Sequence, residues 1–115
     1  MSRQKSSFIE DKKAFTEWLV NDGQLSRKAA SDCVSRCKRV ETELHVDLVD
    51  ATATEASYLS LMEAIQQYAQ KKSKTKPSAY SMTGTLRAAC KKYAQFKYPS
   101  HATTYKSSHG STRYD

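Results

Sequence analysis

Residues 26–44 read SRKAASDCVSRCKRVETEL. Ala30, Cys33, Val34, Cys37, Val40 and Leu44 recur at the 3.6-residue spacing of one helix face. Ser26 stands before them with a short hydroxyl side chain suited to accept a hydrogen bond from a free first-turn amide. This segment therefore reads as an amphipathic helix with a defined start, and the rest of the chain can be placed around it.

Upstream, residues Glu10 to Val20 predict a first helix with Phe15, Trp18 and Leu19 on one side and Phe8 and Ile9 packed beneath its start. Asn21-Asp22-Gly23 predicts its end, with glycine taking the left-handed cap. Downstream, His45 to Ala51 reads as an extended loop whose Val46, Leu48 and Val49 plug the core. Thr52 to Glu55 fits a capping box opening a third helix, with Tyr58, Leu61, Met62, Ile65 and Tyr68 buried. Residues 71–77 form a basic connection in which Pro77 forbids continuation. A fourth helix, from Ala79 or Ser81 to Lys97, is expected to bury Met82, Leu86, Ala89, Cys90, Tyr93 and Phe96, with Pro99 beyond its end. The fold expected is all-α: a four-helix bundle of two αα-hairpins over residues 1–98. Residues 99–115 have almost no aliphatic side chains to offset ordering entropy and predict a flexible polar tail.

Several classes are set aside by composition. Three Gly and two Pro are too few turn residues for a β-sandwich or barrel. No apolar run approaches the roughly 20 residues of a membrane span. The polar N-terminus lacks an apolar signal core, so a soluble, cytoplasmic protein is expected. Cys33, Cys37 and Cys90 read as small buried hydrophobes, because their spacings to His45, His101 and His109 match no zinc pattern. No metal or cofactor is expected. His101, Tyr105, His109, Arg113 and Tyr114 have nucleophile and base chemistry, but they fall in a segment unsuited to fixed geometry, so no catalytic role is assigned.

Charge is divided along the chain. Residues 1–63 carry nine basic and eleven acidic side chains, whereas residues 64–114 carry ten basic and none acidic. The formal net charge of +7 thus comes from the second half, and such concentration points to a polyanion partner. On the second helix, Lys28, Ser31, Ser35, Lys38, Arg39 and Thr42 lie opposite the apolar stripe with no acid among them. Asp32 is placed to pair with Arg36 at i,i+4, which sets Arg36 apart from the ligand-facing cations. The fourth helix shows Gly84, Arg87, Ala88, Lys91, Lys92 and Gln95 outward, again without acid. Lys71, Lys72, Lys74 and Lys76 add a basic loop. Cations neutralise phosphates, hydroxyls bond phosphate oxygens, and Arg or Gln reach base edges.

A family resemblance follows from these residues. Phe15-x-x-Trp18-Leu19, Leu25-Ser26, and Ser35-Arg36-Cys37-Lys38-Arg39-Val40 resemble the first hairpin of the SAM-like core-binding domain of tyrosine recombinases and phage integrases. Ser81-x-Thr83-x-Thr85-Leu86-Arg87-Ala88-Ala89, continuing to Tyr93-Ala94-Gln95-Phe96, is similar to that module's last helix. The chain departs from the family at Ala29 or Ala30 and at Cys33, where members usually have Thr and Tyr, and it shows no counterpart of the recombinase catalytic residues. The resemblance implies the non-catalytic task, with helices two and four laid on the DNA major groove.

The expected partner is double-stranded DNA, held by Lys28, Ser31, Ser35, Lys38, Arg39, Lys72, Lys74, Lys76, Arg87, Lys91, Lys92 and Gln95. The protein would then sit with the nucleoid. The alternative is a phage or mobile-element adaptor or inhibitor whose basic face docks on an acidic protein, such as a recombinase or a host nuclease complex.

Overall fold

Ser26 starts the central helix as its side chain predicts. In a computed structural model, which describes residues 7–99, its hydroxyl accepts a hydrogen bond from the Ala29 amide at 3.0 Å. The expected tail, with Tyr105 and Tyr114, lies outside the described residues except for Pro99. Five helices follow in order: α1 Ser7–Asn21, α2 Arg27–Leu44, α3 Leu48–Ala51, α4 Glu55–Lys72 and α5 Lys76–Lys97. The predicted second, third and fourth helices are therefore α2, α4 and α5. Among the described residues there is no strand, and the architecture is an all-α bundle.

The first turn between helices departs from expectation in one detail. The Asp22 and Gly23 amides both donate to the Trp18 carbonyl, at 2.8 and 3.0 Å. The left-handed residue is Gln24, with φ 57°, and not Gly23. Glycine is required at 23 for another reason: a Cβ there would sit 2.7 Å from the Leu19 carbonyl oxygen. α2 ends where His45 turns left-handed, φ 58°, and returns its amide to the Glu41 carbonyl.

The segment expected to be an extended loop contains the one-turn helix α3. Two carboxylates make it possible: Asp47 accepts from the Val49 amide at 2.9 Å, and Glu41 accepts from the Leu48 amide at 2.8 Å. Satisfying free amides this way is the usual requirement at a helix start. Leu48 plugs the core, fully buried.

The expected capping box at Thr52 and Glu55 is displaced by two residues. Thr52 is buried at the end of α3, and its hydroxyl donates to the Leu48 carbonyl at 2.6 Å. Thr54 caps α4 instead, exchanging hydrogen bonds with Ser57. α4 ends before Pro77 as expected, but α5 begins at Lys76, earlier than Ala79, so the connection is shorter and takes in no Pro77. Pro77 occupies the first turn of α5, behind the Thr75 cap, where a missing N–H costs nothing.

Two hairpins, α1–α2 and α4–α5, pack together with α5 also against α2. Tyr58, Leu61, Met62 and Ile65 are buried as expected, with Ala69 in place of the half-buried Tyr68. On α5, Thr83 and Ala94 are buried while Met82 and Phe96 are half-buried. All three cysteines are buried and unbridged.

An aromatic cluster joins α1 to α5. Phe8 and Phe15 meet the Tyr93 ring edge-on, with centroids 5.1 and 5.2 Å away, and Phe15 lies 5.2 Å from Phe96. Burial of each such side chain contributes about 1.5–3 kcal/mol. The Tyr93 hydroxyl donates to Asp11 Oδ2 at 2.9 Å, and Lys97 Nζ donates to the same oxygen at 2.9 Å. Burial, then the Asp11 carboxylate, push the Tyr93 hydroxyl well above the ordinary tyrosine range.

Candidate nucleic-acid interface

α2 and α5 are locked side by side through cysteines small enough for close approach. The Cys37 thiol donates to the Ala89 carbonyl at 3.3 Å, and Cys33 points at the same oxygen at 3.9 Å. Arg39, further along α2, shares a hollow with Ser78, Ser81 and Met82 near the start of α5, so the two helices run antiparallel. Their flanks therefore border common surface grooves.

The larger groove, of ≈ 890 Å³, is lined from α2 by Ala29, Cys33 and Arg36, from α4 by Tyr58 and Met62, and from α5 by residues between Tyr80 and Lys92. The smaller, of ≈ 400 Å³, is lined by Arg36, Arg39, Ser78, Ser81, Met82, Thr85 and Leu86. Among the described residues, no carboxylate side chain lines either one. Arg36, Arg39, Arg87, Lys91 and Lys92 do. Tyr80 is the one large hydrophobic side chain among the described residues that is exposed, at 61%. Beside it α5 carries Gly84, where an added Cβ would find open space.

The expected DNA-binding residues divide into three groups. Arg39, Lys91 and Lys92 are brought together on this face. Arg39 is steadied there by Tyr68, whose hydroxyl accepts from Nε at 3.2 Å and whose ring centroid is 5.6 Å from the guanidinium carbon. Arg87 also lines the larger groove, but much of its hydrogen-bonding capacity is committed within the fold. Its Nε and Nη2 donate to the Met62 carbonyl at 3.0 and 2.8 Å, and Nη2 also donates to Gln66 Oε1 at 3.2 Å. It fastens α5 to α4.

The third group lines neither groove. Ser31, Ser35 and Lys38 are exposed on the part of α2 turned away from them, and Gln95 is half-buried. Lys72, Lys74 and Lys76 are exposed at the α4–α5 connection. Lys28 stands 3.7 Å from Asp32, an i,i+4 pair. That pair replaces the expected one between Asp32 and Arg36.

Arg36 is thus the residue that sequence reasoning set aside and the fold brings forward. It is exposed, lines both grooves, and makes no ion pair among the described residues. Its signal was its place on the edge of the apolar stripe, three residues before Arg39 and three after Cys33. Its positive charge is felt locally: Cys37 first, then Lys92 and Arg36, draw the Cys33 thiol below its usual range against the effect of burial. Contacts with Cys33 and Cys90 and burial raise Cys37 instead.

No protein-family model, curated protein or solved structure matches this chain. No helix among the described residues is long and apolar enough to cross a membrane.

Proposed function

We propose that this is a non-catalytic DNA-binding protein that grips duplex DNA through the face shared by α2 and α5, in the manner implied by its resemblance to an integrase core-binding module. The observation that carries the reading is the acid-free surface where Arg36, Arg39, Lys91 and Lys92 meet beside helical hydroxyls. An exposed face without carboxylates leaves its cations available to phosphates, and hydroxyls add neutral hydrogen bonds to the same oxygens. The DNA reading places the protein with the nucleoid.

About four or five phosphate contacts, at roughly 0.9 per contact, give log K falling against log salt with a slope of about −4. Titration of a labelled duplex at several salt concentrations measures this, and a flat response or no binding at low salt overturns the reading. Double reversal at Lys91→Glu and Lys92→Glu should weaken binding about 100-fold. The same change at Lys12 and Lys13 of α1 should do far less, and equal losses would show the face to be elsewhere.

The exposed Tyr80 ring beside Met62 in the larger groove favours a second reading, an adaptor docking on an acidic protein. Nuclease treatment before capture separates the two, because a partner bridged by DNA is lost and a direct one is kept.

A further inference from the structure

The two grooves differ in chemistry. The larger mixes cations with Tyr80, Met62 and small residues, whereas the smaller is bounded mainly by guanidinium groups and hydroxyls. On its α2 side, Arg36 and Arg39 are one helical turn apart. On its α5 side, Ser78, Ser81 and Thr85 follow at i, i+3 and i+7, one stripe of the same helix. Guanidinium groups on one wall and hydroxyls on the other line a space of ≈ 400 Å³.

Arg39 is oriented before any ligand arrives. Tyr68 engages its Nε at 3.2 Å, which leaves both terminal nitrogens of the fork for another acceptor. A planar fork held in place binds a tetrahedral oxyanion through paired hydrogen bonds, which a lysine ammonium cannot reproduce. Arg36 stands opposite the Ser81 and Thr85 stripe with no carboxylate claiming it among the described residues.

We infer that this hollow is a phosphate seat, in which Arg36, Arg39, Ser78, Ser81 and Thr85 hold one phosphodiester of the DNA backbone and thereby fix the register of the protein on the duplex. The inference rests on the DNA reading and sharpens it: Lys91 and Lys92 supply diffuse attraction, while the seat supplies position. A diffuse field depends on charge alone. A seat depends on geometry and on neutral donors as well.

The test compares Arg36→Lys, which keeps the charge, and the pair Ser81→Ala with Thr85→Val, which leaves charge untouched. Arg36 and Ser81 are exposed and Thr85 is half-buried, and circular dichroism checks that each variant keeps its helices. Duplex affinity is measured across salt, and the folded proteins are titrated with inorganic phosphate against chloride at equal ionic strength, followed by amide and Arg Nε NMR shifts. The seat predicts that each variant binds duplex about tenfold more weakly with little change in salt slope. It also predicts that phosphate and duplex both shift Arg36, Arg39 and Ser81 in the unaltered protein. Variants that bind like the unaltered protein, with phosphate shifting none of these residues, overturn the seat and leave DNA binding standing. Local shifts with phosphate but no binding of duplex overturn both, because the hollow would then serve another phosphorylated ligand.

Discussion

The flank built from α1 and α3 and the face shared by α2 and α5 treat their charges in opposite ways. On the flank, four carboxylates are engaged by the fold. Asp11 takes Tyr93 and Lys97, Glu41 and Asp47 cap α3, and Glu17 pairs with Arg27 at 2.9 Å. On the face, Arg36, Lys91 and Lys92 have no such partners among the described residues. The uneven charge of the chain is thus not spread evenly over its surface. Asp11, Glu41 and Asp47 serve as structural material, whereas the cations of the face stay exposed or half-buried and unpaired among the described residues.

The contrast predicts that damage to the flank appears in stability and damage to the face appears in binding. The largest effect is expected from Phe15→Ala, which removes the ring shared by Tyr93, Phe96 and Trp18. Urea unfolding should show a loss of about 3–5 kcal/mol, while the remaining folded protein keeps its duplex affinity. Asp11→Ala comes next. It strands the buried Tyr93 hydroxyl and should cost about 1–3 kcal/mol, again with affinity unchanged. A fall in affinity for either folded variant would break the division between the two regions.

Arg87→Ala sharpens it, because Arg87 lies on the face but bonds like a residue of the flank. The substitution should lower stability by about 1 kcal/mol, by unmaking the link to Met62, and should weaken binding less than the Lys91 and Lys92 double reversal. The smallest effect concerns pH. Tyr93 holds its proton more tightly folded than unfolded, so its contribution is complete below the ordinary tyrosine value of about 10 and declines as pH rises beyond it. Tyr93→Phe has no such proton to lose. Its unfolding free energy should fall less steeply than that of the unaltered protein between pH 9 and about pH 11, followed by fluorescence in urea.

Much of the fold was legible because long helices repeat their signal. α2 shows five buried positions at helical spacing behind a serine cap, and α4 and α5 each bury a similar stripe. α3 was not legible, since four residues cannot display a period and its caps come partly from Glu41, seven residues away from the Leu48 amide it binds. The Thr52–Glu55 pattern misled because the Thr52 hydroxyl was already engaged by Leu48. Ser57, which closes the actual box, is not the usual Glu or Gln.

The candidate site was legible as a choice of helices and less so as a choice of residues. Charge alone identified α2 and α5. It could not show which flank of α2 meets α5, and that orientation turns Lys38 and Ser35 away while admitting Arg36. Asp32 has a basic residue four positions away on either side, and only the fold shows it 3.7 Å from Lys28. Charge also could not show that Arg87, while lining the larger groove, bonds the Met62 carbonyl on α4.

Gly84 carries a consequence for anyone reshaping this molecule. Nothing nearby requires its side chain to be missing, since a methyl group there would meet no atom within 4 Å beyond the adjoining backbone of its own helix and its chain neighbours. Mid-helix glycine nonetheless weakens a helix by about 1 kcal/mol relative to alanine. α5 therefore forgoes rigidity beside its most accessible aromatic ring, leaving bare backbone open at the surface. Selection for heat tolerance alone would fill that gap, and on the DNA reading the hardier protein would grip its duplex less closely.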